Sequence, residues 1–267
     1  MKITMLGTGN AFAYEHYNTC FTISHNNQIM LVDGGGGNEL LHRLKNKSID
    51  WQDIKHVFVT HKHIDHILGI VWLIRLVCQR AAAGKYNDTF HIYANADVVN
   101  ILQNFTSNAF SKSQASQLGK AVQFITLSHA DQHEIIGHTF RFFDIGSTKC
   151  DQMGFAMENN GNPNYLCCLG DEPYNAICQP FAQNCTWLMH ESFCLFTEAD
   201  DYQPYEKHHS TVKDAAQAAQ KLNAKNLIIY HTNDAHANNR KQIYTNEASL
   251  YYSGNIHIPN DLEEIEI

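Results

Sequence analysis

Several features that mark special classes of protein are missing from this sequence. The eight cysteines are scattered and none forms a CxxC pair, which predicts buried, reduced thiols rather than a disulfide framework. The longest apolar run, residues 67–78, is too short to span a bilayer and contains Arg75. No signal peptide opens the chain. We therefore expect a cytoplasmic protein without membrane contact.

Positive charge is also scarce. The 267 residues contain 19 Lys+Arg against 27 Asp+Glu, a formal net charge of −8, which argues against tight, unspecific binding to nucleic acid. A hydrophobic fraction of 44% is that of an ordinary globular protein. No Pro/Ser-rich linker and no internal repeat divides the chain. The sequence thus predicts a single domain over residues 1–267 with a substantial core.

Strand-like and helix-like segments occur in both halves of the chain. Residues 21–24 and 28–32 read as a hairpin around Asn26-Asn27, and an apolar, helix-length run covers residues 67–79. In the last third, strands at 186–190 and 226–230 alternate with helices at 211–222 and 239–252. Two mixed sheets with helices outside would accommodate this pattern. Periodicity alone does not choose that architecture over a doubly wound α/β sheet.

The most informative segment is Thr60–His66, which reads Thr-His-Lys-His-Ile-Asp-His. Three imidazoles and one carboxylate within seven residues cannot share one helical face. They suit the end of a strand that runs into a tight loop, where side chains converge on one point. The spacing predicts a strand, a ligand loop through His66 and then a helix.

Two further potential ligands each follow an apolar strand. Asp171 comes after residues 165–169, and His231 comes directly after residues 226–230. Loops at strand ends are where binding sites gather. An alternative interpretation of Asp171 is a helix N-cap, since Glu172-Pro173 follows it, and both roles are compatible.

These motifs resemble the metallo-β-lactamase superfamily, in particular its ribonuclease Z-like branch. The resemblance covers nearly the whole chain, and its most specific element is the HxHxDH signature at Thr60–His66. The other matching elements are Met5–Gly9, Val32–Gly36, Gly170-Asp171, Leu188–Ser192, His209–Thr211 and Ile229–His231. The fold that the resemblance implies is an αββα four-layer sandwich, with two mixed β-sheets flanked by helices.

The resemblance also implies a set of metal ligands. One metal would take His61, His63 and Asp171, and the other would take Asp65, His66, Asp171 and His231, so that Asp171 bridges them. A hydroxide held by the metals would be the nucleophile. Zn²⁺ is the first expectation, but mixed His/carboxylate sites also accept Mn²⁺ or Fe²⁺.

Three residues would carry the catalysis in this resemblance: Asp65, Glu191 and His209. The family uses the counterparts of Glu191 and His209 to transfer a proton to the leaving oxygen. His208 adjoins His209, and the Ser210-Thr211 that follows favours His209 for this role. In this resemblance, an acid in the position of Asp33 contacts the metal ligands, without binding the metal, and holds them in place.

One departure from the family pattern concerns the first metal. The family has a third histidine shortly before a Gly-Phe/Tyr pair, here Gly154-Phe155, and its expected position is near Thr148, where no histidine occurs. Three arrangements are open: weak binding completed by water, substitution by Cys150 or Asp151, or a Lys149 ammonium that disfavours this metal and holds a substrate phosphate. The sequence therefore predicts one firm metal site and one weakened site.

The function that these expectations favour is a metal-dependent hydrolase, acting as a phosphodiesterase on a small phosphodiester or nucleotide. Processing of tRNA 3′ ends is not favoured, because the polar segment 106–119 is short, carries only Lys112 and does not resemble the family's tRNA-gripping arm. The alternatives are hydrolysis of a thioester, lactone or β-lactam, and a metal-binding sensor without catalysis. Family members are often homodimers, so we expect the same here.

Overall fold

The computed structural model describes all 267 residues, which form fourteen strands and eight α-helices. The strands are β1 (Lys2–Gly7), β2 (Cys20–His25), β3 (Gln28–Val32), β4 (Ile54–Phe58), β5 (Phe90–Ala94), β6 (Val122–Thr126), β7 (Gln132–Ile135), β8 (His138–Asp144), β9 (Met153–Asn159), β10 (Asn162–Cys168), β11 (Trp187–Glu191), β12 (Asn226–Tyr230), β13 (Asn255–His257) and β14 (Glu264–Glu266). The helices are α1 (Glu39–Asn46), α2 (Ile64–Ala82), α3 (Ala96–Ala109), α4 (Lys112–Ala115), α5 (Gln179–Ala182), α6 (Ala199–Tyr202), α7 (Val212–Lys221) and α8 (Arg240–Ala248). None of these helices combines the length and apolar character needed to cross a bilayer.

The chain forms two compact units. Unit 1 contains residues 1–7, 18–127 and 262–267, and unit 2 contains residues 8–17 and 128–261. Each unit carries its own seven-stranded sheet with helices around it. The single domain expected over residues 1–267 stays a prediction.

The sheet of unit 1 has the order β14-β1-β2-β3-β4-β5-β6. Its first half is antiparallel, and the pairs β3–β4, β4–β5 and β5–β6 are parallel. The hairpin between β2 and β3 turns at Asn26 and Asn27, which both have positive φ, as the sequence predicted. The carboxyl ends of the parallel strands lie at one edge of the sheet, where loops can gather functional side chains.

The sheet of unit 2 has the order β13-β12-β11-β10-β9-β8-β7. Here β10, β11, β12 and β13 are parallel, whereas β7 to β10 form an antiparallel meander. Small side chains of α7, such as Ala215 and Ala219, pack into the core of this unit with Leu188 and Leu227. Both sheets are therefore mixed, as the family resemblance implied.

The cysteines are all free, and seven of the eight are buried. Burial raises the pKa of Cys178 and of Cys185 to about 12, so these thiols stay protonated at neutral pH. The prediction of reduced, buried thiols agrees with this arrangement.

Candidate metal-binding clusters

In unit 1 the parallel register of β3 and β4 brings the first group of polar side chains together. Val32 pairs with Phe58, so the residues that follow, Asp33 and Thr60, meet at the carboxyl edge of the sheet. The Asp33 carboxylate accepts hydrogen bonds from the backbone N–H of Thr60 and from its hydroxyl, each at 2.8 Å. Asp33 itself has a φ of 56°, a left-handed conformation that is costly for a non-glycine residue.

Asp33 also fixes the proton positions of two histidines. The Nδ1 of His66 donates to Asp33 at 2.8 Å, so Nε2 is the ring nitrogen that would bind a metal once its proton is released. The Thr60 hydroxyl donates to Asp33 and therefore accepts from the Nδ1 of His61, at 3.0 Å. The Nε2 of His61 is therefore the acceptor nitrogen of its ring, and it faces the Nδ1 of His63.

We call His61, His63, Asp65 and His66 the histidine cluster. The Nε2 of His61 lies 2.8 Å from the Nδ1 of His63, and the Nε2 of His66 lies 3.3 Å from Oδ2 of Asp65. The His61 and His66 rings are 4.1 Å apart between centroids, and His61, Asp65 and His66 are all buried. The donor atoms thus converge in two pairs, as metal ligands do.

The histidine cluster favours positive charge. Burial alone would lower the pKa of His66, but the carboxylates of Asp65 and Asp33 outweigh burial and raise the pKa well above its usual value. A divalent cation at the same place would be stabilised by the same two carboxylates. Imidazole and carboxylate donors of this kind fit Zn²⁺, Mn²⁺ or Fe²⁺.

A close packing contact between glycines holds the histidine cluster in place. A Cβ added to Gly69 of α2 would lie 1.9 Å from the carbonyl oxygen of Gly34, and a Cβ on Gly34 would lie 2.6 Å from the backbone nitrogen of Ile70. The backbone N–H of Gly34 donates to the carbonyl of His66 at 2.8 Å. The glycine run after Asp33 therefore lets the start of α2 approach the loop that supports the ligands.

The helix begins earlier than the sequence indicated. The prediction of a loop through His66 was wrong, because α2 starts at Ile64 and carries Asp65 and His66 in its first turn. His63 is the N-cap with an extended backbone. The negative charge of Asp65 near the helix N-terminus is favourable to the helix dipole, which explains why a polar segment is helical here.

In unit 2 three adjacent parallel strands place a second group of side chains. Asp171 follows β10, Glu191 ends β11 and His231 follows β12. His209 lies two residues before Thr211, the N-cap of α7. Asp171, Glu191, His209 and His231, which we call the carboxylate cluster, each offer a donor atom within 4.8 Å of the others.

The distances in the carboxylate cluster centre on Asp171. Its Oδ1 lies 2.9 Å from the Nδ1 of His231 and 3.5 Å from the Nδ1 of His209. Oε2 of Glu191 lies 3.5 Å from the same His209 nitrogen. His231 has a φ of 60°, so it is held in the left-handed region, as Asp33 is.

Glu191 and His209 lie next to each other in the carboxylate cluster. Oε1 of Glu191 accepts a hydrogen bond from the backbone N–H of Ser210, which anchors the buried carboxylate. The His209 ring stacks on Phe193 at 5.3 Å with an interplanar angle of 8°. Glu191 Oε2 and His209 Nδ1 are buried and have no hydrogen-bond partner, so a ligand or ion can complete them.

Lys149 reaches the carboxylate cluster, in the segment where the family's third histidine is missing. Its Nζ lies 3.3 Å from the Nε2 of His209. The neighbouring Thr148 is turned to a different partner, since its Oγ1 lies 2.6 Å from the Nδ1 of His208. This contact is compatible with the third of the arrangements left open, in which a Lys149 ammonium lies beside the candidate site.

Two supporting interactions were not predicted from the sequence. The Thr60 hydroxyl relays the orientation from Asp33 to His61, and only the register of β3 against β4 could have indicated it. Asp234 holds the loop of residues 10–17, because it accepts from the backbone of Tyr14 and Glu15 and pairs with His16 at 2.9 Å. Burial would raise the pKa of Asp234, and these contacts outweigh it and lower the pKa.

The two mixed sheets and the buried imidazole and carboxylate clusters define the class of protein. They are those of a metallo-β-lactamase-fold protein that resembles metal-dependent hydrolases. Within that class, the chain belongs to the family described as anti-Pycsar protein Apyc1, whose model matches residues 1–254.

Curated relatives are similar over the whole chain. It is 22% identical to a ribonuclease Z of Nitrosopumilus maritimus (strain SCM1), with all of both chains covered. It is 23% identical to a ribonuclease Z of Bacillus thuringiensis (strain Al Hakam), with 100% of this chain and 99% of the relative covered. The resemblance to the ribonuclease Z-like branch is thereby confirmed.

Solved structures share the fold. The metallo-β-lactamase fold protein YhfI from Bacillus subtilis superimposes with a TM-score of 0.78 at 18% identity, covering 99% of this chain and 98% of the other. The short form of human tRNase Z gives a TM-score of 0.74 at 19% identity, covering 100% and 99%. A diphosphatase of the PhnP family gives 0.72 at 16% identity, covering 99% and 97%. The predicted fold class is confirmed.

Proposed function

We propose that this protein is a metal-dependent phosphodiesterase that acts on a small phosphodiester, such as a cyclic nucleotide. The observation that carries the proposal is the pairing of Glu191 with His209 beside Lys149, in a unit that also presents Asp171 and His231. A phosphodiester needs a proton donor for its leaving oxygen and positive charge for its phosphate. This unit supplies both.

The metal ligands are proposed from the family resemblance. His61, His63 and Asp171 would hold one ion, and Asp65, His66, Asp171 and His231 would hold the other, with Zn²⁺ as the first candidate. Such ions, when bound, supply an activated water and a positive charge for the phosphate. The convergence of the donor atoms within each cluster supports this assignment.

Other residues of the chain would orient the ligands, transfer the proton and bind the phosphate. Asp33 keeps His61 and His66 in the tautomers that present Nε2. His209, held between Phe193 and the carboxylates, would give a proton to the leaving oxygen, and Glu191 would orient its ring. The Lys149 ammonium would contact a phosphate oxygen.

The choice of a small substrate has two supports. The net charge is −8, which disfavours a long polyanion. Residues 106–119 contain the end of α3, the short helix α4 and a turn, rather than a long Gly/Pro-rich arm. Ribonuclease Z relatives suggest a nucleic acid or nucleotide substrate, and within that range we favour the nucleotide.

Turnover on protein of known metal content tests the proposal. We expect hydrolysis of bis-p-nitrophenyl phosphate and of a 3′,5′-cyclic nucleotide, and loss of both in Asp65→Ala and His66→Ala. Asp88→Ala is the matched control, since this exposed carboxylate only pairs with Lys55. Full activity of a well-metallated Asp65→Ala variant would reject the mechanism. Hydrolysis of thioesters or lactones instead, or no turnover with Zn²⁺ or Mn²⁺, would favour the alternative hydrolase or the sensor.

A further inference from the structure

Two short segments of unit 2 run side by side next to the carboxylate cluster. Lys149 pairs with His209, and the residues just before them, Thr148 and His208, pair with each other at 2.6 Å. The first pair touches the carboxylate cluster, and the second pair lines a separate pocket. The pocket is thus one residue away from the groups that would hold the phosphate.

This pocket is large enough to hold a small molecule. Its volume is about 420 Å³, within the range of ~300–1,000 Å³ that is usual for ligand pockets. Its lining includes the side chains of Thr148, Glu172, Tyr174, Asn175, Tyr205 and His208. The lining contains no lysine or arginine, so it suits an uncharged planar group better than a second phosphate.

Tyr205 is placed to stack on such a group. Its hydroxyl donates to Asp214 at 2.9 Å, which holds the ring, while 52% of the residue stays exposed. An exposed aromatic ring that is held in place loses little conformational entropy when a base stacks on it. Tyr174, half-buried against the core of unit 2, lies on the same pocket.

His208 supplies the polar contact. It has a φ of 58°, a strained conformation for histidine, and the backbone bond from its N–H to the carbonyl of Tyr205 helps to hold it. Its Nδ1 is engaged with Thr148, so Nε2 remains to bond the edge of a ligand.

The pocket is fixed relative to the carboxylate cluster through Glu172. This buried residue follows Asp171 directly, and its carboxylate accepts from the Ser147 hydroxyl, from the Thr148 N–H and from the Gln152 amide. The loop that carries both Thr148 and Lys149 is therefore tied to the residue next to a proposed ligand. The distance from pocket to phosphate contact is preset in the fold.

We propose that this pocket binds the nucleobase of a nucleotide substrate whose phosphate contacts Lys149 and His209. The proposal rests on the proposed phosphodiesterase function and adds to it the residues that bind the base. The base stacks on Tyr205, and its edge bonds to His208. Substrates without a base lose this contribution and bind more weakly.

The test is Tyr205→Ala, assayed with a 3′,5′-cyclic nucleotide and with the base-free 3′,5′-cyclic phosphate of 1-deoxyribose. Stacking of about 1–3 kcal/mol predicts a rise in KM of about 5- to 150-fold for the nucleotide, with kcat little changed. Tyr205→Phe keeps the ring and restores most of the affinity. Phe105→Ala is the matched control, because Phe105 has a similar exposure of 51% and lies on α3 of unit 1.

An equal rise in KM for both substrates, or none for the nucleotide, would overturn the pocket assignment. Calorimetric titration with an uncharged nucleoside separates this assignment from the proposed function. If the nucleoside binds and Tyr205→Ala weakens this binding, the pocket assignment is supported. This holds even for a preparation that cleaves no phosphodiester, in which case only the proposed function fails. If the protein hydrolyses bis-p-nitrophenyl phosphate but binds neither nucleoside nor nucleotide, the proposed function is supported and the pocket assignment is refuted.

Discussion

Replacing Asp33 by asparagine tests whether this buried residue controls the metal affinity of the histidine cluster. Three donors converge on its carboxylate: the backbone N–H of Thr60, the hydroxyl of Thr60 and the Nδ1–H of His66. An amide keeps one oxygen and puts an NH₂ group where the other oxygen was. In either orientation of the amide, that NH₂ group faces an N–H donor.

The more favourable orientation keeps the bond from the Thr60 backbone and turns the amide NH₂ toward His66. His66 then accepts at Nδ1 and carries its proton on Nε2, the atom that should bind the metal. Loss of such a supporting partner costs about 10- to 100-fold in metal affinity, or about 1.4–2.7 kcal/mol. We expect a Zn²⁺ dissociation constant raised by this factor in Asp33→Asn.

Competition with a chromophoric chelator measures the affinity, and the ¹⁵N spectrum of the imidazoles reports the tautomer directly. The control is Asp88→Asn, an exposed aspartate that forms an ion pair with Lys55. A control of metal affinity by Asp33 is refuted if Asp33→Asn binds Zn²⁺ as tightly as the parent, or if the neutral imidazole of His66, at a pH above its raised pKa, keeps its proton on Nδ1 in the metal-free variant.

Three further predictions concern other parts of the chain. Gly69→Ala should lower the free energy of unfolding by about 1–3 kcal/mol, because its Cβ would meet a carbonyl oxygen at 1.9 Å, whereas Gly37→Ala, with no atom within 4 Å, should change it little; urea unfolding compares them. Burial and the neighbouring His91 lower the pKa of His56 to about 4. The unfolded state therefore takes up the proton first as the pH falls below about 6.5, and the stability present above that pH declines toward pH 4 by about 1–2 kcal/mol after allowance for solvent screening. His56→Gln should lose this part of the pH dependence, and identical urea profiles of both proteins between pH 7.5 and 5 would contradict the assignment. Lys149→Ala should bind more metal than the parent on elemental analysis, since the ammonium no longer repels a cation; two firm equivalents in both proteins would exclude a weakened site.

The sequence pattern correctly predicted those features that depend only on residues close together in the chain. The turn at Asn26 and Asn27 has positive φ at two residues that tolerate it, and the flanking strands follow from their apolar residues. The signature at Thr60–His66 predicted the convergence of its own side chains. Its secondary structure was missed, because the favourable charge of Asp65 at a helix start is not visible in the hydrophobic pattern.

The parts that the sequence left open depend on contacts between distant residues. Thr60 meets Asp33 only because β3 and β4 pair in one parallel register, 27 residues apart in the chain. Thr148 and His208 are 60 residues apart and meet through loops whose conformation no periodicity encodes. Lys149 was a plausible pocket residue by position, and its contact with His209 became visible only in the folded chain.

The left-handed backbone at Asp33 and His231 has a consequence for the evolution of the chain. Both residues adopt a backbone conformation that glycine adopts more readily, at a cost in folding free energy of about 1–2 kcal/mol each. Glycine would relieve this strain, but it would leave the buried donors that Asp33 satisfies without an acceptor and would remove the imidazole of His231. The usual stabilising replacement of a strained residue by glycine is therefore offset at Asp33, and stabilised variants of this protein should be designed with both residues held constant.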